Sequence, residues 1–195
     1  SGGNVIKALE VILRLRQACC HLNLIPGQNA PTSSKLSLLM DTIEESLAEG
    51  HKSLIFSQWT SLLDLIQKDF DARGLRYSRI DGSTQNRGDK VKDFQREDGP
   101  PLMLISLKAG GVGLTLTAAD HVFIMDPWWN PSVEDQAADR AHRIGQQNPV
   151  LIHRLVAHDS IEEKILLLQA KKKDLARAVL DEGGAALGLT RQDIL

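Results

Sequence analysis

Short and nearly unbroken apolar runs recur along this chain, and each hands over to a polar cluster: Ser53–Phe56, Leu102–Leu107 and Val122–Met125. Two further strand-like runs, Leu75–Ile80 and Leu151–Val156, complete the series. A run without a polar face has to be covered on both sides, which is the pattern of a buried parallel strand. Parallel neighbours need crossover connections, and the segments between these runs have helical periodicity. The expectation is an α/β fold, a doubly wound parallel sheet with helices on both faces. In such sheets binding groups gather beyond the carboxyl ends of the strands. The polar clusters of this chain lie there.

Several helices carry readable ends. Ser33 or Ser34 caps a helix whose apolar face is Leu36, Leu39, Met40, Ile43 and Leu47, stopped at Gly50. Ser61 with Asp64 has capping-box spacing for a second helix ending before Gly74, and a third holds Val91 and Phe94. The last helix starts at Ser160 with Glu163 as capping partner, lined by Ile161, Ile165, Leu168, Leu175 and Val179. Upstream, Val5, Leu9, Ile12 and Leu15 mark an amphipathic helix, and Asn23–Ser34 reads as a linker. The expected division is an N-terminal helix and linker (1–32), a lobe with its C-terminal helix (33–182) and a tail (183–195). Ser1-Gly2-Gly3 reads as a cloning remnant, so the natural protein is expected to extend upstream.

A length of 195 residues suits one compact domain. The net charge of −2 argues against an indiscriminate basic nucleic-acid binder, while leaving room for a few backbone contacts. No run is long enough to span a membrane and no signal peptide opens the chain, so no membrane partner is expected. Cys19 and Cys20 are adjacent and read as free thiols of a reducing compartment.

The densest polar segment is Asp126–Gln147, DPWWNPSVEDQAADRAHRIGQQ. Asn130 followed by Pro131 has the form of an N-cap with proline at the first helical position. Beyond it Gln136, Arg140 and Arg143 fall at i, i+4 and i+7, one face of a helix. Two guanidinium groups one turn apart can grip a polyphosphate, although a solvated face with surface salt bridges is the plainer reading. In Ser106–Thr117, SLKAGGVGLTLT, Gly110, Gly111 and Gly113 allow close backbone approach to a phosphate, and Lys108 adds a charge. Ser57-Gln58-Trp59 and Asp81-Gly82-Ser83-Thr84 offer hydroxyls, an amide and backbone N–H groups at strand ends, suitable for sequence-blind phosphate contacts. No GxxxxGK[ST] loop occurs in the chain.

QAADRAHRIGQ, Gln136–Gln146, resembles the sixth helicase motif of the Swi/Snf-type ATPases of helicase superfamily 2. SLKAGGVGLTLT resembles motif five, Ser57-Gln58-Trp59 motif four, and Asp81–Thr84 the neighbouring DGST element. LRQACCH resembles the segment that enters the second motor lobe. The resemblance covers about Lys35–Leu180 and implies a RecA-like C-terminal lobe. It implies that Arg140 and Arg143 are arginine fingers, with Gln136 positioning or sensing the phosphates and Gly111 and Gly113 beside the nucleotide. It also implies that Ser57, Gln58, Gly82, Ser83, Ser106, Lys108, Gly110 and Gly111 face the backbone of double-stranded DNA. ATP and Mg2+ would be bound with the N-terminal RecA-like lobe of the same polypeptide, neither being held by this lobe alone. A DNA-bound protein complex is a further implied partner. The short loop before Arg87 is associated with bacterial members, which implies a cytoplasmic, DNA-associated protein; a eukaryotic member would be nuclear. A non-catalytic α/β module binding DNA or a protein partner remains the alternative.

Overall fold

The structure, a computed structural model, describes residues 2–107, 114–141 and 149–187. Five parallel strands form one sheet: β1 (Ser53–Ser57), β2 (Tyr77–Ile80), β3 (Leu102–Ser106), β4 (His121–Ile124) and β5 (Leu151–Arg154), in the order β2-β3-β1-β4-β5. The helices are α1 (Gly2–Cys20), α2 (Ser34–Ala48), α3 (Thr60–Ala72), α4 (Arg87–Gln95), α5 (Pro131–Ala138) and α6 (Ile161–Leu187), with a 3-10 turn at Leu22–Leu24. The expected fold class is the observed one. β1 and β3 pair from Ser53↔Leu102 to Ser57↔Ser106, and β4 joins β1 from Ser53↔His121.

β1, β3 and β4 are buried along their whole length, as their unbroken apolar character requires. Alternate residues feed two cores. On one face Ile55, Leu104 and Phe123 meet Leu39, Met40 and Ile43 of α2 and Leu62, Ile66 and Phe70 of α3. On the other, Leu54, Phe56, Met103, Ile105 and Val122 meet Phe94 of α4, Ala137 of α5 and Leu116 of the segment before β4. At roughly 2 kcal/mol per fully buried large apolar side chain, these layers are the main stabilising contribution.

Local signals mostly act where the sequence puts them. Ser33 caps α2, its hydroxyl accepting from the Leu36 N–H at 3.3 Å. Gly50 and Gly74 follow α2 and α3 with φ of 82° and 65°, a region that glycine enters without a Cβ clash. The Ser61/Asp64 capping box does not form. α3 begins at Thr60 with Trp59 as N-cap, and Asp64 instead pairs with Arg79 of β2 at 2.6 Å. At α6 the capping contacts shift by one residue: Glu163 accepts from the Asp159 N–H and Ser160 from the Glu162 N–H, each at 3.1 Å.

Cys20 and Leu24 belong to the α2–α3 core, so the end of α1 and the 3-10 turn after it pack on the lobe. Val5, Leu9 and Leu15 of α1 are 60%, 61% and 48% exposed, so that apolar stripe is not what holds α1 in place. Its buried residues are Arg16 and Cys20. On α6 the buried ridge is Glu162, Ile165 and Gln169, whereas Leu168 and Leu175 are exposed. α6 runs to Leu187, through the first part of the expected tail. Among the described residues no helix is long and apolar enough to cross a membrane.

Candidate functional site

Because all five strands run the same way, Ser57, Asp81, Ser106 and the segment after Ile124 share one edge of the sheet. The first polar residue after β4 is Asp126, and its carboxylate is the hub of that edge. The Ser57 hydroxyl donates to Asp126 Oδ1 at 2.7 Å, and the Gln58 amide donates to Oδ2. Ser57 Oγ in turn accepts from the Trp59 N–H at 3.0 Å, fixing the start of α3. Burial pushes the Asp126 carboxyl up to about 6, against the opposing pull of the Ser57 and Gln58 hydrogen bonds and the Lys35 and Arg16 charges.

Two cations stand around it. Arg16 lies between the Trp59 and Trp129 rings, 5.6 and 5.5 Å from their centroids, and donates to the Pro127 carbonyl at 3.4 Å. Lys35 Nζ donates to the Met125 carbonyl at 2.8 Å and is 2.7 and 2.6 Å from the two oxygens of Glu162. Glu162 also accepts from the Ala157 N–H at 2.8 Å, so one buried pair ties α2, the β4 exit and the start of α6 together. Trp128 packs against the α4–α5 core, while Trp129 caps Arg16.

This geometry corrects part of the expected DNA-facing set. Ser57 and Ser106 are 0% and 1% exposed, and the Gln58 amide is committed to Asp126. In this lobe the Ser57 and Ser106 hydroxyls are therefore turned inward, and the half-buried Gln58 amide is held on Asp126. Gly82 and Ser83, by contrast, are exposed. Their loop is pinned from inside by Asp81, whose Oδ1 accepts from the Ser83 N–H and hydroxyl at 3.0 and 2.6 Å. Arg79 Nε reaches Oδ2 at 2.9 Å. The Ser83 hydroxyl, ahead of the other contacts, holds the Asp81 carboxyl below its usual value.

The Asn130 cap is present, its side chain accepting from the Ser132 N–H at 3.1 Å. Glu134 does more than face the helix start. It is buried, accepts from the Trp128 N–H at 2.9 Å, and meets Arg154 at 3.1 Å and Gln169 at 3.0 Å. α5 stops at Ala138, before Arg140, so Gln136 and Arg140 do not share one face of this helix. Gln136 is exposed and Arg140 is buried. Arg140 Nη1 donates to the Leu114 carbonyl at 3.4 Å, and the Leu116 N–H donates to the Arg140 carbonyl at 2.9 Å. The two strongest motifs of the sequence therefore touch. Lys108, Gly110, Gly111, Gly113 and Arg143 lie outside the described residues.

Sequence reasoning passed over Asp126, Lys35, Glu162 and Arg16. Asp126 had a signal: it is the first polar residue after the apolar run that forms β4, as Ser57 is after that of β1. Lys35 and Glu162 had none, being 127 positions apart.

Residues 34–145 match the family described as Helicase conserved C-terminal domain. This chain is the C-terminal lobe of a Swi/Snf-type ATPase. The Swi/Snf lobe is 46% identical over 160 residues to the DNA repair protein RAD5B of Arabidopsis thaliana, covering 80% of this chain and 12% of that protein. It is 45% identical over 151 residues to the helicase-like transcription factor of Mus musculus, covering 74% of this chain and 15% of that protein. Among solved structures, the C-terminal part of the Fun30 ATPase domain matches with a TM-score of 0.68 at 34% identity, covering 80% of this chain and 53% of that one. That match identifies the sheet as a RecA-like lobe of helicase superfamily 2. The two curated relatives are a plant and a mammalian protein, so the bacterial origin expected from the short loop before Arg87 finds no support in them.

Proposed function

We propose that this lobe is the second half of an ATP-driven motor that tracks along double-stranded DNA and remodels protein–DNA complexes. The carrying observation is the match over residues 34–145, which takes in the polar ends of β1 to β4 and Arg140. An N-terminal lobe of the same polypeptide holds ATP and Mg2+ on a phosphate loop that this chain lacks. Arg140 and Arg143 reach the phosphates across the cleft and stabilise the charge that develops during phosphoryl transfer, with Gln136 positioning them. Gly111 and Gly113 lie beside the nucleotide. One of the five N–H donors of Arg140 holds the Leu114 carbonyl, which couples the arginine to the glycine loop. Gly82, Ser83, Lys108, Gly110 and Gly111 contact the tracking strand, backed by Ser57, Gln58 and Ser106. Binding ATP favours the closed cleft, and hydrolysis releases it, which moves the lobe on the duplex. The names of the relatives, a DNA repair protein and a transcription factor of eukaryotes, support a nuclear protein acting on DNA-bound complexes.

In the intact two-lobe enzyme, Arg140→Ala or Arg143→Ala lowers DNA-stimulated ATP turnover by roughly a thousandfold, with duplex affinity largely kept. An equal loss of DNA affinity would mean that the arginines hold DNA rather than ATP. The isolated chain hydrolyses no ATP, and DNA-stimulated turnover by it alone would overturn the two-lobe reading.

A further inference from the structure

The opposite, amino-terminal edge of the sheet holds a cluster that the motor reading does not use. His51 sits between the end of α2 and β1, Asp120 directly precedes β4, and His121 opens β4. One ligand atom from each lies within 4.8 Å of the others. We propose that His51, Asp120 and His121 form a site for a single divalent transition metal, Zn2+ by ligand type.

Two imidazoles and one carboxylate are a familiar three-ligand set for zinc, with water taking the fourth position of a tetrahedron. The backbone under the cluster is fixed. The Asp120 and His121 N–H groups both donate to the Lys52 carbonyl, at 3.2 and 3.3 Å, and the Leu151 N–H donates to the Asp120 carbonyl at 2.7 Å. Each histidine also has a partner for the nitrogen that would not ligate, the arrangement that sets tautomer and ring orientation at metal sites. His51 turns Nδ1 to Asp120 Oδ2 at 2.6 Å and Nε2 to Glu49 at 3.4 Å. His121 Nδ1 faces His153 Nε2 at 3.1 Å, so Nε2 of His121 is the nitrogen left for the ion. The His121 and His153 rings stack at 5.2 Å, and Phe123 backs His153 at 4.5 Å, which holds the ligand plane.

Zinc bonds of about 2.1 Å put two tetrahedral ligands about 3.4 Å apart. The ion therefore enters by widening the His51–Asp120 contact and replacing the proton they share. His51, with a side chain 33% exposed, is the residue able to rotate and is also the entry path. An ion here would clamp the α2–β1 turn to β4 and β5, with the length of β4 between it and Asp126.

The test is Zn2+ titration of the chain by calorimetry, with Co2+ spectroscopy to report the ligands. One Zn2+ binds per chain and raises the melting temperature, and Co2+ shows the visible d–d band of a tetrahedral nitrogen and oxygen site. His51→Gln and Asp120→Asn each weaken binding by more than the roughly 10–100-fold typical of losing an orienting partner, while remaining folded by circular dichroism. His158→Gln, at an exposed histidine elsewhere, leaves binding unchanged. No Zn2+ binding overturns the proposal. So does binding that survives in both variants, or a thiolate charge-transfer band that would assign the ion to Cys19 and Cys20.

Discussion

The hydroxyl of Ser57 donates to Oδ1 of Asp126 across 2.7 Å, joining the ends of β1 and β4 inside the lobe, where neither residue meets solvent. Through that bond a residue of the strand-end motif, expected to meet DNA, instead orients a carboxylate below the surface. Gln58, Lys35 and Arg16 converge on the same group, so α1, α2, β1 and β4 are registered to one another at the functional edge.

That carboxyl predicts a pH signature. Its folded value of about 6 lies above the ordinary 3.8, so between these values the folded state keeps a proton that the unfolded chain has released. The contribution to stability is full below about pH 4, falls as pH rises through about 6, and totals about 3 kcal/mol. Asp126→Asn removes this titration. Urea midpoints at about pH 4 and about pH 7.5 should show wild type losing stability relative to the variant. Parallel behaviour of the two proteins would show that Asp126 is ionised throughout.

Lys35 and Glu162 make a second prediction. Lys35→Met leaves Glu162 buried without its cation and destabilises the lobe by about 3–5 kcal/mol. Adding Glu162→Gln recovers a large part of that loss, because the uncompensated charge is gone. Denaturant unfolding of the two single variants and the double variant gives the coupling directly. Additive losses would mean that the pair is solvated in solution.

Gly99 is required for space. A Cβ there would lie 1.9 Å from the Asp93 carbonyl oxygen, a backbone atom at the end of α4 that cannot swing aside. Gly99→Ala costs about 1–3 kcal/mol of stability. An unchanged thermal midpoint would show that the turn into β3 relaxes freely.

Ser83 is exposed on a loop held by Asp81, so it can be changed without unfolding the lobe. In the intact enzyme Ser83→Glu sets a negative charge against the DNA backbone and weakens duplex binding by roughly tenfold at low salt. The effect shrinks as salt rises. Anisotropy titrations at two salt concentrations measure both, and an unchanged affinity would place the DNA elsewhere on the lobe.

What the sequence determined alone was local. Apolar runs such as Ser53–Phe56 had to be covered on both faces, Ser33 and Asn130 had hydroxyl or amide oxygens ready for free N–H groups, and Gly50 and Gly74 could enter positive φ. Each depends on residues a few positions apart, and the motif around Arg140 was legible for the same reason. The tertiary structure decided the rest. It took Asp64 from its expected cap by offering Arg79, placed Ser57 beside Asp126 across 69 positions, and seated Lys35 on Glu162 across 127. A buried charge must find a counter-charge wherever the crossovers of the sheet bring one. The strand order β2-β3-β1-β4-β5, which no single segment encodes, chose those partners.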